Sequence, residues 1–316
     1  AEQVGMTGSA ITGPELEKLD DEELKEKIIN HSIYARVTSA QKVRILKALQ
    51  SRNEIVAMTG DGINDAPAIK SSDVGISMSL KGTDIARDES DMVLTDDHFS
   101  SIVNSIEEGR IIYDNIKKFI RYLLGANLAE IGVILIAMIS GLPLPLLPLQ
   151  ILWINLMTDS WPALALGVDP PNKNVMNEKP RSTKENIMHD LKSFIIVVGI
   201  LGTIATLGMF LWALNQDMAI EKARTFALTT LMIFEMFVVY SVKSPKPFTH
   251  MLDNKWLNMA VVLSILLQVL VIYTPLNVLF KLAPISALEW LHMIGVGLVG
   301  FLLTELFKFW RYKKTK

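Results

Sequence analysis

Two carboxylates and an amide stand within one glycine turn: Asp61, Asn64 and Asp65 of Thr59-Gly-Asp-Gly-Ile-Asn-Asp65. Gly60 and Gly62 let the backbone turn tightly and approach a ligand closely. The three side chains are oxygen donors suited to Mg2+ and to ordering water around a phosphate. A lone Asp-Gly would be read as a turn and no more. The case for chemistry rests on the whole run from Thr59 to Lys70.

A second set of oxygen donors lies in apolar surroundings. Asn127 and Glu130 are three apart and share a helix face, and Asn155, Thr158 and Asp159 have i, i+3, i+4 spacing on another. Glu235 sits within Leu231-Met-Ile-Phe-Glu-Met-Phe. A charged side chain near the bilayer centre costs roughly 2.5–3.5 kcal/mol on insertion scales, so each needs a reason. Three carboxylates with amide and hydroxyl oxygens, and no nitrogen or sulfur ligand, form a hard-cation set suited to Ca2+ or Na+ rather than zinc or copper. A single Asn or Thr could simply join helices by hydrogen bonds. That explanation is poor for three acids with no Lys or Arg nearby in the spans. Pro162 follows Asp159 closely and is expected to loosen that helix and free carbonyls that can also bind an ion.

The elements that must carry these residues fall into two regimes. Up to about residue 105 the pattern is soluble: a charged helix over 14–30, a strand at Ile33–Arg36, a helix at Ala40–Gln50 and a buried strand at Glu54–Met58 running into the glycine turn. A helix at Ala66–Ser71 and strands at Val74–Met78 and Met92–Leu94 follow. Such alternation predicts an α/β layer with a mostly parallel sheet, whose sites lie at the carboxyl ends of the strands. From Ser100 an amphipathic helix continues without a breaker into apolar Phe119–Ser140. Further apolar stretches at about 150–168, 191–214, 224–242, 256–276 and 290–307 bring the expected spans to six, the second short and broken by Pro162. The expected domains are 1–105 and 106–316.

Loop charge orients the spans. Lys173, Lys179, Arg181, Lys184 and Lys192, then Lys243, Lys246 and Lys255, then Lys308, Arg311, Lys313, Lys314 and Lys316 fall on one side. Only Lys222, Arg224 and Lys281 fall on the other. This bias places the N-terminal α/β part and the C-terminus in the cytoplasm. The 316 residues are 50% hydrophobic, with mean hydropathy +0.32, which averages the two regimes. A net charge of -2 without a basic arm gives no reason to expect nucleic acid as a partner. The absence of cysteine excludes disulfides, thiolate metal sites and a cysteine nucleophile. The five histidines are scattered and assigned to no metal; Gln268 reads as interhelical glue and Glu305 as a partner for Lys308. The chain starts at Ala1 with no apolar signal-peptide core, which suggests a fragment or processed product.

The run Thr59–Lys70 resembles the hinge motif of P-type ATPases, whose phosphorylation domain is similar to the haloacid-dehalogenase fold. The resemblance implies that Asp61 helps hold Mg2+ beside an aspartyl phosphate, with Asn64 and Asp65 in support. Ala35-Arg-Val-Thr-Ser-Ala-Gln-Lys42 looks like the family segment whose lysine reaches the phosphoryl group, which makes Lys42 the candidate. Asn127-Leu-Ala-Glu130, Leu152-Trp-Ile-Asn155-Leu-Met-Thr158-Asp159 and Pro162–Pro171 look like sarco/endoplasmic-reticulum-type calcium pumps. In those pumps the matching residues, with a later glutamate at the position of Glu235, bind calcium.

The resemblance therefore implies a polytopic six-helix membrane protein preceded by part of a haloacid-dehalogenase-like domain. Its implied function is the C-terminal portion of an ATP-driven Ca2+ pump, with Mg2+ and ATP as cofactors. The family's Asp-Lys-Thr-Gly nucleophile motif does not occur in this sequence, nor do the nucleotide-binding domain, the Thr-Gly-Glu loop or the first four membrane helices. This chain alone is expected to be inactive, and its expected partners are the bilayer, the cation and the remaining N-terminal part of the pump. The alternatives are a non-catalytic truncated membrane protein or pump partner subunit, and Na+, H+ or Mn2+ as the ion.

Overall fold

Capping chemistry decides where the first helices begin. In the computed structural model, which describes residues 9–172, 175–181 and 187–315, the charged stretch 14–30 is two helices, α1 (Gly13–Glu17) and α2 (Asp21–Lys27), not one. Asp20 makes the break: its carboxylate accepts the Glu23 amide at 2.8 Å while Glu23 accepts the Asp20 amide at 3.1 Å, a reciprocal cap that starts a new helix. Lys173, Lys184 and Lys316 of the charge pattern, and the first eight residues, lie outside the described residues.

The described residues fall in two compact units, Ala1–Glu107 and Glu108–Lys316. In the first, β1 (Ser9–Thr12), unforeseen in the sequence, pairs in parallel with β2 (His31–Ala35). The second strand stops before Arg36, which takes a left-handed φ of 54° that no ladder accommodates. Helix α3 (Ser39–Ser51) opens on a Thr38–Gln41 capping box, and the Gln41 amide also donates to Gly13 O at 3.0 Å and Glu17 Oε2 at 2.7 Å. Ile11, Leu16, Leu24, Ile28 and Ala48 form the core beneath.

A separate parallel sheet of order β3-β4-β5 is built from Ala57–Gly60, Val74–Met78 and Met92–Leu94, with α4 (Ala66–Ser71) and α5 (Asp84–Asp88) between the strands. β3 begins at Ala57 rather than Glu54 because the Val56 amide is already taken by the Asp73 carboxylate at 2.9 Å.

Helix α6 (Ser100–Ile139) is unbroken over 40 residues. It ends at Gly141, whose φ of 66° allows the Leu142 amide to reach Ala137 O at 2.9 Å, a glycine stop. The stretch expected as a second span is not one helix. It is α7 (Pro148–Trp153), a π-helical turn (Ile154–Thr158) and α8 (Ser160–Gly167). There follow α9 (Ile187–Asn215), α10 (Ile220–Ser241), α11 (Lys255–Tyr273), α12 (Leu276–Phe280) and α13 (Ala287–Thr315). Among the described residues five helices, α6, α9, α10, α11 and α13, are long and apolar enough to cross a bilayer. The protein is a multi-pass membrane protein. α10 packs against both α9 and α13, and most of its side chains are buried.

Candidate functional site

The glycine turn sits where β3 ends. Asp65 is buried at the start of α4, where its carbonyl accepts the Ala68 and Ile69 amides, each at 2.9 Å. Its carboxylate is ion-paired to Lys42 of α3. A methyl on Gly60 would lie 2.8 Å from Asp65 Cγ, so the absence of a side chain there is what lets Asp65 fold back under the strand. Gly62 is less crowded: a Cβ there would meet only ordinary contacts, the nearest at 3.8 Å. The Asp61 carbonyl accepts the Thr83 amide at 2.9 Å, which fixes the turn against the start of α5.

The side chains of Asp61 and Asn64 are exposed and make no hydrogen bond or ion pair among the described residues. The structure thus brings Lys42 and Asp65 together and leaves Asp61 and Asn64 open. Open oxygens at the carboxyl end of a parallel strand fit a hard divalent ion that takes one or two protein ligands and keeps the rest for water and phosphate.

In the membrane unit the two acid-bearing segments α6 and Ile154–Asp159 meet directly. Asn155 Nδ2 donates to both oxygens of buried Glu130, at 2.8 and 2.9 Å. The Tyr122 hydroxyl of α6 donates to Asp159 Oδ1 at 2.9 Å. Asp159 Oδ2 and both oxygens of Glu235 on α10 are buried with no hydrogen-bond partner among the described residues. Glu235 lies within electrostatic reach of both Asp159 and Glu130. Asn127 is half-buried beside them and is not drawn into these bonds. Among the described residues no three acids or histidines are gathered closely enough to hold an ion by themselves. A cation there would also need the amide and hydroxyl oxygens.

The segment is broken at the π turn just before Asp159 rather than at Pro162. Pro162 belongs to the first turn of α8, where a missing amide costs little. In the π turn the Asp159 amide reaches back to Ile154 O at 2.9 Å, which leaves Asn155 O to the Ser160 hydroxyl at 2.8 Å. Thr158 O, four residues before the proline, accepts the Ser264 hydroxyl of α11 at 3.0 Å. The carbonyls expected to be free for an ion are thus engaged by serines. The Thr158 hydroxyl turns back to Ile154 O at 3.0 Å.

Tyr122 and Ser264 were not picked out from sequence. Tyr122 belongs to the buried stripe Tyr122, Ala126, Ala129, Val133, Ala137, and its hydroxyl on that otherwise apolar stripe is the available signal. Gln268 does join helices, donating to Thr229 Oγ1 at 3.0 Å and accepting from Trp153 Nε1 at 3.2 Å. Glu305 pairs with Lys308 at 2.7 Å. Also unforeseen is a buried charge cluster in which Asp169 takes Lys118 of α6 at 2.6 Å, Lys243 at 3.3 Å and Asn254 at 2.9 Å, while Lys243 also pairs with Asp253.

A multi-pass helical bundle with three buried acids within electrostatic reach of one another defines a membrane protein with an acid-bearing interior. The family follows from comparison: residues 143–310 match the model described as cation transporting ATPase, C-terminus, and the chain belongs to that family. It is 43% identical over 95% of its length to a "Calcium-transporting ATPase" of Bacillus subtilis, covering 35% of that protein. It is 35% identical over 97% of its length to "Calcium-transporting ATPase 3, endoplasmic reticulum-type" of Arabidopsis thaliana, covering 34%. A "Probable cation-transporting ATPase F" of Mycobacterium tuberculosis is 37% identical over 92% of the chain, which covers 33% of it. The chain thus spans about a third of the length of these relatives.

Proposed function

We propose that the chain works as the C-terminal part of an ATP-driven Ca2+ pump. The observation that carries the reading is three buried carboxylate oxygens, Oδ2 of Asp159 and both of Glu235, that meet no donor among the described residues, with Glu130 within electrostatic reach. Oxygens in a membrane interior without donors are costly unless protonated or filled by a cation. Asn127, Asn155 and Thr158 add neutral oxygens, and an all-oxygen set suits Ca2+. Na+ and Mn2+ are the competing ions, and protons could occupy the acids when the site is empty. The Pro148–Gly167 segment, folded as three short pieces, is taken as the sixth span, its broken middle lining the site.

On the same reading the first unit is part of a haloacid-dehalogenase-like phosphorylation domain, and both ends of the membrane unit face the cytoplasm. Asp61 and Asn64 would hold Mg2+, which would supply positive charge beside a phosphoryl group from ATP. The lysine of the Lys42–Asp65 pair is held in place by the acid and directs its positive charge at the transferring group. The nucleophilic aspartate comes from outside this sequence.

Phosphorylation of the complete pump by ATP at graded Ca2+, with Asp159→Ala beside it, tests the reading. The expected result is a Ca2+-dependent phosphoenzyme that Asp159→Ala abolishes. Phosphorylation indifferent to Ca2+ but dependent on Na+ or Mn2+ would reassign the ion. A normal phosphoenzyme at micromolar Ca2+ in the variant would remove Asp159 from the site.

A further inference from the structure

Both carboxylate oxygens of Glu235 lack a hydrogen-bond donor among the described residues. Its polar neighbours are two further acids, Asp159 and Glu130, which offer it no fixed donor, so packing has a large part in where this side chain stands. The residue before it, Phe234, is fully buried, and its ring lies between glycines of two different helices. A Cβ at Gly202 of α9 would come within 2.9 Å of Phe234 Cε1. A Cβ at Gly300 of α13 would come within 2.7 Å of Cε2 and 2.8 Å of Cδ2. Near Gly300, Gly297 makes room in the same way for Ile233, with a Cβ there 2.8 Å from Cγ2. Glycine weakens a helix interior, yet here two glycines from separate helices meet the edges of one ring. Neither accommodates a methyl unless its neighbours shift, the Phe234 ring at Gly300 and both the ring and Ala129 at Gly202.

We propose that Phe234 is a positioning residue: its ring, seated between Gly202 and Gly300, sets the rotation of α10 and so the place from which Glu235 meets the cation. The proposal rests on the reading of Glu235 as a cation ligand. A phenyl ring suits the task because it is large and stiff, with two torsions to fix. Gly202 also seats Ala129, the neighbour of Glu130, with a Cβ there 2.7 Å from Ala129 Cβ. The three atoms nearest Gly300 all belong to the Phe234 ring, which makes Gly300 the cleaner position to perturb.

The test is Ca2+-dependent phosphorylation by ATP in the complete pump, with half-saturating Ca2+ and the maximal phosphoenzyme level read separately. Gly300→Ala is expected to raise half-saturating Ca2+ roughly tenfold while the maximal level is kept, as overpacking displaces the acid without removing it. Shortening the ring in the same protein, Gly300→Ala with Phe234→Leu, should return half-saturation to within about threefold of the parent. A general packing defect would not be rescued in this way. Unchanged half-saturation in Gly300→Ala, or failure of the second change to restore it, overturns the proposal. If Gly300→Ala does not reach the membrane, Phe234→Leu alone is read in the same assay; unchanged half-saturation there likewise overturns it. Glu235→Gln separates the two layers. If it leaves Ca2+ dependence intact the ligand reading has failed, and if it alters that dependence while the wedge variants do not, only the wedge has failed.

Discussion

Asn155 Nδ2 bridges the two carboxylate oxygens of Glu130, at 2.8 and 2.9 Å, and so ties α6 to the π turn that leads into Asp159. The same nitrogen also reaches Ile151 O at 3.1 Å, so the amide is oriented from its own helix before it meets the acid. Removing it would leave a buried carboxylate without its only side-chain donor among the described residues.

Asn155→Ala should therefore weaken cation binding. Hydrogen bonds to charged groups are worth about 1.5–3 kcal/mol, which corresponds to roughly a tenfold to hundredfold rise in half-saturating Ca2+. Ca2+-dependent phosphorylation of the complete pump reads this directly. A shift smaller than about threefold would mean that Glu130 is held elsewhere when the cation is bound.

Lys42 and Asp65 make a second separable pair. Lys42→Ala should slow phosphoenzyme formation at saturating Ca2+ by about 10²–10³-fold, the usual cost of losing one preorganised stabilising group. Asp65→Asn keeps the lysine and removes its anchor, so it should slow the same step by less. Rapid-quench measurement distinguishes them, and a Lys42→Ala rate equal to the parent's would take that lysine out of the chemistry.

Much of the arrangement was legible in local spacing. Asn155 and Asp159, four apart, both meet side chains of α6, while the Thr158 hydroxyl turns back to Ile154 O, and Glu54–Met58 running into Thr59–Gly62 did announce a strand ending in a turn. What failed were features fixed by one long-range or backbone bond. The break in the first helix comes from the Asp20–Glu23 cap, and the late start of β3 from Asp73 holding the Val56 amide. The π turn depends on the Asp159 amide choosing Ile154 O over Asn155 O, and the serine that takes the freed carbonyl lies one residue beyond the acid. Tyr122 meets Asp159 across 37 residues of sequence, a distance no periodicity reports. The Asp169 cluster joins Lys243, which the sequence shows only as loop charge, to Lys118 of α6.

Asp73 gives the first unit an acid-sensitive joint. The Val56 amide, at 2.9 Å, and then the Gln50 amide, at 3.2 Å, hold its carboxyl below the ordinary aspartate range. A folded-state pKa below the unfolded one contributes stability that is full above the unfolded value, about 3.9, and is lost as pH falls through the folded one. The parent should thus lose thermal stability in the first unit on acidification below about pH 4. Asp73→Asn should be less stable at neutral pH and show a shallower fall. Melting curves across that range decide it, and parallel slopes would mean that the joint does not contribute.

Asp169 is the residue whose loss should harm the membrane unit most. It is buried and takes two lysines at once, one from α6 and one from the end of α10, while Asn254 at the start of α11 donates to the same oxygen as Lys243. The Asn115 amide of α6 fastens the adjoining backbone through Gly167 O at 3.2 Å and Asp169 O at 3.0 Å. Breaking a buried ion pair from one side strands the opposite charges, which costs roughly 3–5 kcal/mol. Lys118 and Lys243 differ in their recourse. Among the described residues Lys243 keeps Asp253, whereas Lys118 keeps the Asn115 side chain, at 3.0 Å, and no other acid. Asp169→Ala should therefore lower the melting temperature of the detergent-solubilised protein sharply, and adding Lys118→Met should recover more of that loss than adding Lys243→Met. Equal recovery by both would place the burden on Asp169 itself, and recovery by Lys243→Met alone would reverse the assignment.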